Sequence, residues 1–332
     1  MTRRHAEQTR YINLISGETI LAEQQTFNPL TANRLTRTMS SNLTASNLFN
    51  LSGKIAVVTG GATGLGLMMS EAFAANGATV YILGRRLEAL QKTADVHSPS
   101  LESRGGKLIP LQCDVTSKDS LKEATKKIEE QSGKVNILVV NSGVPGPRST
   151  SNLKDPSNAQ EVYECLFNDE VEEWDQVLRT NVAGAYFTTV AFIPLLAKGN
   201  GAGGYDSQVI TIASIGGLSK QIASGFSYSA SKAAAVHLGR NFSNFLIPLK
   251  IRSNIICPGL FPSEMTTPSS GDNNKSSGSD LPKERVATIP VGRAGTEEDM
   301  AQTALFLACC GFTNGSIVTV DGGSLSNKPS AF

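Results

Sequence analysis

From Ile55 onward, seven short runs rich in β-branched residues recur, each separated from the next by a longer amphipathic stretch: Ile55 to Thr59, Thr79 to Leu83, Lys107 to Cys113, Asn136 to Val140, Gln208 to Ile212, Ile251 to Ile256 and Ser316 to Val320. Parallel strands need a crossover long enough to hold a helix, whereas antiparallel strands can turn back in a few residues. The alternation therefore predicts an α/β fold, a Rossmann-type doubly wound parallel sheet of seven strands covered by helices on both faces. A chain of 332 residues exceeds the usual domain size, yet α/β folds of roughly 250 residues commonly form one domain. A single domain over 51–325 is expected.

Residues 1–50 lack sustained periodicity and are rich in Thr, Ser, Asn and Arg, so they read as a flexible tail. Five arginines, from Arg3 to Arg37, suggest a mitochondrial transit peptide as the alternative, which Glu7, Glu18 and Glu23 weaken. Initiation at Met39 would remove the question altogether. Residues 326–332 form a short C-terminal tail. Between the last strands, 262–285 has the Pro, Ser, Gly, Asn and Asp content of a loop. It follows a strand end, on the side where ligands bind such sheets, and is a candidate lid.

Thirty basic against twenty-nine acidic residues leave a net charge of +1, so no broad field exists to hold nucleic acid or an anionic membrane. The longest apolar stretch, Val182 to Ala197, is too short to span a bilayer. Five cysteines show no CxxC spacing and read as reduced core thiols of a cytoplasmic-type compartment; three dispersed histidines offer no metal site. The expected partner is a small molecule.

Thr59-Gly60-Gly61-Ala62-Thr63-Gly64-Leu65-Gly66 follows the first run and opens a helix. Glycines there permit a tight turn and let backbone N–H groups approach a pyrophosphate at a helix N-terminus. The second run ends Leu83-Gly84-Arg85-Arg86, where an NAD site would place a carboxylate on the ribose hydroxyls. Arg85 instead offers a guanidinium fork suited to a 2′-phosphate, which favours NADP(H).

Further along, Tyr228-Ser229-Ala230-Ser231-Lys232 places a phenol and an amine four residues apart on one helical face. A free tyrosine, with a pKa of ~10, is a poor base but a serviceable acid if its phenolate is stabilised. Opposite charges about 4 Å apart at an effective dielectric near 20 interact by roughly 4 kcal/mol. That is enough to bring the tyrosine's pKa down by as much as ~3, toward the range that acid-base catalysis uses.

With their TGxxxGxG and YxxxK spacings, these segments resemble the short-chain dehydrogenase/reductase family over about Leu51 to Leu325. The resemblance implies sheet order 3-2-1-4-5-6-7 and a nicotinamide cofactor held by Gly60, Thr63, Gly64, Leu65, Gly66, Arg85, Asp114, Val115, Asn141, Gly143, Tyr228 and Lys232. It also implies that Asp114 contacts the adenine and that Pro258, Gly259 and backbone near Phe261 hold the carboxamide. Ser214 would orient the substrate oxygen, and Asn181 would support a water chain to Lys232. Asn181, Ser214, Tyr228 and Lys232 thus form the expected catalytic set. Two departures stand out: Thr63 replaces the basic residue common in NADP-using relatives, and Val140 replaces an asparagine thought to tie neighbouring strands.

The segments Pro258 to Thr266, Ile289 to Met300 and Val320 to Gly323 resemble the 3-oxoacyl-carrier-protein reductases, including their rhamnolipid-biosynthesis branch. The expected reaction is NADP(H)-dependent reduction of a 3-oxoacyl group or another largely apolar ketone, in a pocket walled by Val144, Pro145, Leu218, Ile222, Phe226, Phe261 and Met265. Alternatives within the class are a secondary-alcohol dehydrogenase and a polyketide-type ketoreductase. Outside it stands an NADP(H)-sensing binding protein, which the intact Ser, Tyr and Lys disfavour. Long helices near Val171 to Ala197 and Ser227 to Ile247 imply, by the same resemblance, a homodimer or homotetramer.

Overall fold

The computed structural model describes residues 42–201, 206–222, 224–268 and 270–328. The chain divides into two units, Met1–Asn47 and Leu48–Phe332. Of the first, only 42–47 are described, as a turn leading into the short helix Ala45–Leu48. The tail expected over 1–50 falls mostly outside the described residues, as does the transit-peptide reading.

The second unit is built on seven strands: β1 (Ile55–Thr59), β2 (Thr79–Gly84), β3 (Lys107–Gln112), β4 (Ile137–Val140), β5 (Ser207–Ile212), β6 (Ile251–Pro258) and β7 (Ile317–Val320). All pairings are parallel and the order is 3-2-1-4-5-6-7. The seven expected runs thus become strands with ends moved by at most two residues. Alternate residues face opposite sides of a strand, and the core divides accordingly. Ala56 and Val58, Val80 and Ile82, Ile137 and Val139, and Ile210 and Ile212 belong to one buried cluster. Val57, Tyr81, Leu83, Leu138, Val140 and Val209 belong to the other.

The first cluster is covered by α1 (Gly64–Ala75) through Met69 and Phe73, by α2 (Leu87–Glu102) through Leu90, and by the last helix, Glu297–Cys309, through Met300, Ala304 and Leu307. The second is covered by α3 (Lys118–Ser132) through Leu121 and Ile128, and by the helices described next. After β4, α4 (Ala159–Phe167) and α5 (Val171–Leu178) lead into a π-helical turn, Arg179–Gly184, and α6 (Ala185–Gly199). α7 (Phe226–Phe245) follows β5, and α8 is the Glu297–Cys309 helix.

Val171–Gly199 is one continuous helix of 29 residues, long and apolar enough by length and composition to cross a membrane. The sequence reading, which bounded the apolar stretch at Val182, made it too short. Length alone does not make a span: the helix packs on β4 and β5 and buries Phe192, Leu195 and Leu196 in the second core. Among the cysteines, Cys113 and Cys257 are buried, but Cys165, Cys309 and Cys310 are only half-buried, so the reading of all five as core thiols is corrected.

Replacement of the strand-tying asparagine by Val140 leaves no gap in the sheet, because other side chains tie it. Thr59 Oγ1 donates to the Val139 carbonyl and accepts from the Asn141 and Ser142 N–H groups. Asn136 accepts from Ile55 N–H and donates to the Gly199 carbonyl. Val140 itself is 4% exposed, packed in the second core.

Candidate active site

A cleft of about 550 Å³ opens along the carboxyl ends of the strands. Its floor at one end is the β1–α1 turn. Gly60 and Gly64 have φ of +66° and +52°, a region that favours glycine. A side chain on Gly66 would strike the Gly60 carbonyl oxygen. Thr63 is the N-cap of α1, yet its hydroxyl makes no cap bond. The N–H groups of the first turn have no partner within a helix, so here they border a tight glycine cradle fit for a pyrophosphate, with Thr63, Leu65 and Ser263 at its edge.

Gly84, Arg85 and Arg86 at the end of β2 line the same end of the cleft, and β2 ends without a carboxylate of its own. Arg85 is exposed, and its carbonyl accepts from Gln112 Nε2 at 2.9 Å. Asp114 and Val115 follow β3 and also line the cleft. One Asp114 oxygen is occupied by the Thr116 N–H and hydroxyl, at 2.9 and 2.8 Å. Capping of α3 falls to Ser117, which accepts from Ser120 N–H. Asn141 lines the cleft while donating to the Thr59 carbonyl at 2.9 Å, so it fastens β4 to the glycine turn. Gly143 stands at the throat: a Cβ there would lie 3.1 Å from Asn181 Oδ1 and 3.5 Å from Lys232 Nζ.

At the other end, one turn of α7 brings Tyr228 and Lys232 to the cleft together. Lys232 Nζ lies 5.7 Å from the Tyr228 ring centroid and donates to the Ile212 carbonyl at 3.0 Å. Burial pushes the Lys232 amine down to about 8. Burial also holds the Tyr228 phenol above its usual value, opposed by a hydrogen bond with Ser214 and by the charge of Arg148. The expected fall in the tyrosine's pKa is therefore corrected for the chain by itself. The amine lies 5.7 Å from the ring centroid, and desolvation outweighs the favourable contacts. Ser214 accepts from Gly216 N–H at 3.0 Å, which fixes its side chain just past β5.

Asn181 sits in the π turn, buried, accepting from Val144 N–H at 2.8 Å and donating to the Val144 carbonyl and Ser231 Oγ, both at 3.0 Å. It clamps the loop after β4 to α7. Ser214 meets the cleft through its hydrogen bond with Tyr228, which lines it, whereas Asn181 is buried beside the throat.

At the expected carboxamide end, Pro258 and Gly259 are fixed by β7, with Pro258 paired to Val320 and Gly259 N–H donating to the Val320 carbonyl at 2.9 Å. Phe261 is core: its ring packs where a Gly295 side chain would be, and its carbonyl accepts from Thr266 Oγ1 at 2.6 Å. Of the expected pocket walls, Val144, Pro145 and Met265 line the cleft, whereas Leu218 is buried in a third core cluster with Ala235 and Val236, and Phe226 is exposed. An apolar residue beside a motif satisfies core and pocket equally well by sequence, which is why Phe261 and Leu218 were misplaced.

Several cleft residues were not anticipated: Arg86, Ala89, Leu90, Thr180, Ser263 and Glu264. The segment after β6 passes directly over the glycine turn, since a Cβ on Gly64 would lie 2.9 Å from Ser263 Cβ. Beyond it the chain is fastened to α2: Asn274 Nδ2 donates to Thr93 Oγ1 at 2.8 Å and to the Ala89 carbonyl at 3.0 Å. Thr93 in turn donates to the Ala62 carbonyl at 2.8 Å. His97 bonds the Asn273 carbonyl and Glu71, and Lys275 bridges Glu71 and Glu297. The stretch expected as a lid is thus a strap whose far end is tied down.

Residues 54–274 match the family model for short chain dehydrogenases. The chain belongs to the short-chain dehydrogenase/reductase family. It is 41% identical to the short-chain dehydrogenase/reductase PhomF of Diaporthe leptostromiformis, over 89% of this chain and 100% of that one. It is 31% identical to the rhamnolipids biosynthesis 3-oxoacyl-[acyl-carrier-protein] reductase of Pseudomonas aeruginosa, over 83% of this chain and 97% of that one. Among solved structures, the Pseudomonas aeruginosa RhlG/NADP active-site complex superposes with a TM-score of 0.69 at 29% identity, covering 83% of this chain and 98% of that one. The expected fold, family and kinship with 3-oxoacyl reductases are thereby met, and the chain is an enzyme of the oxidoreductase class.

Proposed function

We propose that this short-chain dehydrogenase/reductase is an NADP(H)-dependent carbonyl reductase acting on a 3-oxoacyl group or another largely apolar ketone. The observation that carries the reading is one cleft with Tyr228 and Lys232 at one end and, at the other, Arg85 at the end of β2, which carries no carboxylate of its own. NADP(H) fits this cleft: the glycine turn and α1 N-terminus take the pyrophosphate, and the Arg85 fork takes the 2′-phosphate. Val144, Pro145 and Met265 give the intervening wall an apolar character. The relative named as a 3-oxoacyl reductase and the neighbour bound to NADP support the same choice.

When bound, the nicotinamide supplies the hydride. The chain's own residues manage the proton. Tyr228 delivers its phenolic proton to the carbonyl oxygen as charge builds there, and the Ser214 hydroxyl holds that oxygen in place. Lys232, as an ammonium, offsets the phenolate left behind, and Asn181 keeps the throat and α7 in register. Loss of one such oriented donor commonly costs about 10²- to 10³-fold in turnover.

The deciding experiment measures NADPH and NADH consumption against β-ketoacyl thioesters and simple ketones, with the reverse reaction on the matching alcohols. Expected are faster turnover with NADPH and a loss of at least 10²-fold in Tyr228→Phe, with NADPH still bound. Undiminished turnover in that variant would remove Tyr228 from the chemistry. Equal efficiency with both cofactors would remove the NADP(H) preference. A homodimer or homotetramer paired through α6 and α7 is proposed with it.

A further inference from the structure

The strap contributes an anion to the phosphate end of the cleft. Glu264 reaches across from the β6 side, and its Oε2 accepts from Arg86 Nη2 at 2.6 Å and from Thr63 Oγ1 at 3.4 Å. Its Oε1 accepts from Ser270 Oγ at 3.2 Å, within the strap itself. All three of Thr63, Arg86 and Glu264 line the cleft. One carboxylate oxygen thus occupies both a cation and a hydroxyl that flank the glycine turn and the end of β2. Partial burial works against its charge, but the bonds from Arg86, Ser270 and Thr63 hold the carboxyl below its ordinary value, so it is an anion at neutral pH. The engagement also explains why Thr63 leaves α1 uncapped: its hydroxyl is turned to Glu264 instead.

We propose that Glu264 is a specificity-determining residue, an internal stand-in for a phosphate that occupies Arg86 and Thr63 until the cofactor's 2′-phosphate displaces it. The inference rests on the reading that the cofactor's adenosine half lies over the end of β2. Arg85 then gives attraction, while Glu264 opposes it by occupying the neighbouring donors and by repelling a second anion. A plain ribose has no charge to exchange with the carboxylate and meets little of this opposition. Discrimination between the two nicotinamide dinucleotides is therefore set by attraction at Arg85 together with an exchange of anions at Arg86. Ionic pairs this exposed contribute little to folding, so the pair can open without unfolding the strap, whose far end is anchored separately through Asn274.

The test is fluorescence titration of NADPH and NADH into the unsubstituted chain, Glu264→Gln, Arg86→Gln and the double variant, with 2′,5′-ADP and 5′-ADP as calorimetric probes of the adenosine end alone. Thermal unfolding of each variant checks that the fold is kept. Glu264→Gln is expected to tighten NADPH and 2′,5′-ADP about five- to twentyfold while moving NADH and 5′-ADP less than twofold. Arg86→Gln is expected to weaken NADPH, and the double variant to recover part of that loss. Equal tightening of all four ligands would mean that Glu264 only tethers the strap, and would overturn the proposal. So would weaker NADPH binding in Glu264→Gln, which would make the pair a clasp over bound cofactor, or no change at all. The cofactor reading fails separately: an unsubstituted chain that prefers NADH contradicts it, yet a ratio that still moves toward NADPH in Glu264→Gln leaves the role of Glu264 standing.

Discussion

Lys232 is an amine sealed inside the chain, and its burial has a measurable signature. Its ordinary value of 10.5 is brought to about 8 by desolvation. Below about pH 8 both folded and unfolded chains hold the proton, and the folded chain bears the full cost of burying it. Between about 8 and 10.5 the folded chain has lost the proton while the unfolded chain keeps it, so stability rises with pH through that window. In Lys232→Met this gain is absent. Denaturant titrations of both proteins are therefore expected to show the stability difference moving in favour of the unsubstituted chain by about 2–3 kcal/mol between pH 7 and 10.5. A difference that stays flat with pH would place the amine in water. The Met variant should lack turnover at every pH, because no cation remains to offset the Tyr228 phenolate.

Among the elements, the strap after β6 depends on one residue more than on any other it contains. Asn274 is buried, holds a φ of +59°, and donates both to Thr93 and to the Ala89 carbonyl. Asn274→Ala removes both bonds at a backbone conformation that alanine resists, at a cost of roughly 2–3 kcal/mol. Hydrogen exchange in that variant is expected to quicken over 262–277 and to leave the β1 and β4 amides as they were; uniform quickening across the sheet would show that the anchor belongs to the global fold. This tie was hidden from the sequence, where Asn273 and Asn274 sit in a Ser- and Gly-rich run that reads as loop. Strands and glycine turn were legible because their signal is local: β-branched runs, a fixed spacing, a helix following. Tyr228 and Lys232 were legible for the same reason, one helical turn apart. Glu264, Arg86 and Thr63 meet across nearly two hundred residues of chain, and no periodicity connects them. Phe261 and Leu218 were misassigned because burial in the core and exposure to a cleft ask for the same apolar side chain.

For the molecule as a whole, the helical face formed by α6 and α7 retains apolar side chains at the surface. Tyr186 and Val190, one turn apart on α6, are 42% and 37% exposed, and Tyr186 stacks on Phe242 of α7 with ring centroids 5.9 Å apart. If two copies pair through this face, sedimentation equilibrium will give a dimer or tetramer for the chain and a monomer for Val190→Asp. A unit that already sediments as a monomer would leave that face without a partner. The seven strands are joined in an order that brings the last to one sheet edge and the third to the other, and the cleft along their carboxyl ends draws on residues from Gly60 to Met265. Its roof comes from residues beyond 260, tied to α2 by Asn274 and to α1 by Lys275 through Glu71, whereas its floor is gathered from the ends of β1 to β5 and from α7. A nascent polypeptide emerging from the ribosome can therefore present this cleft whole only once the chain as far as Met265 has been made.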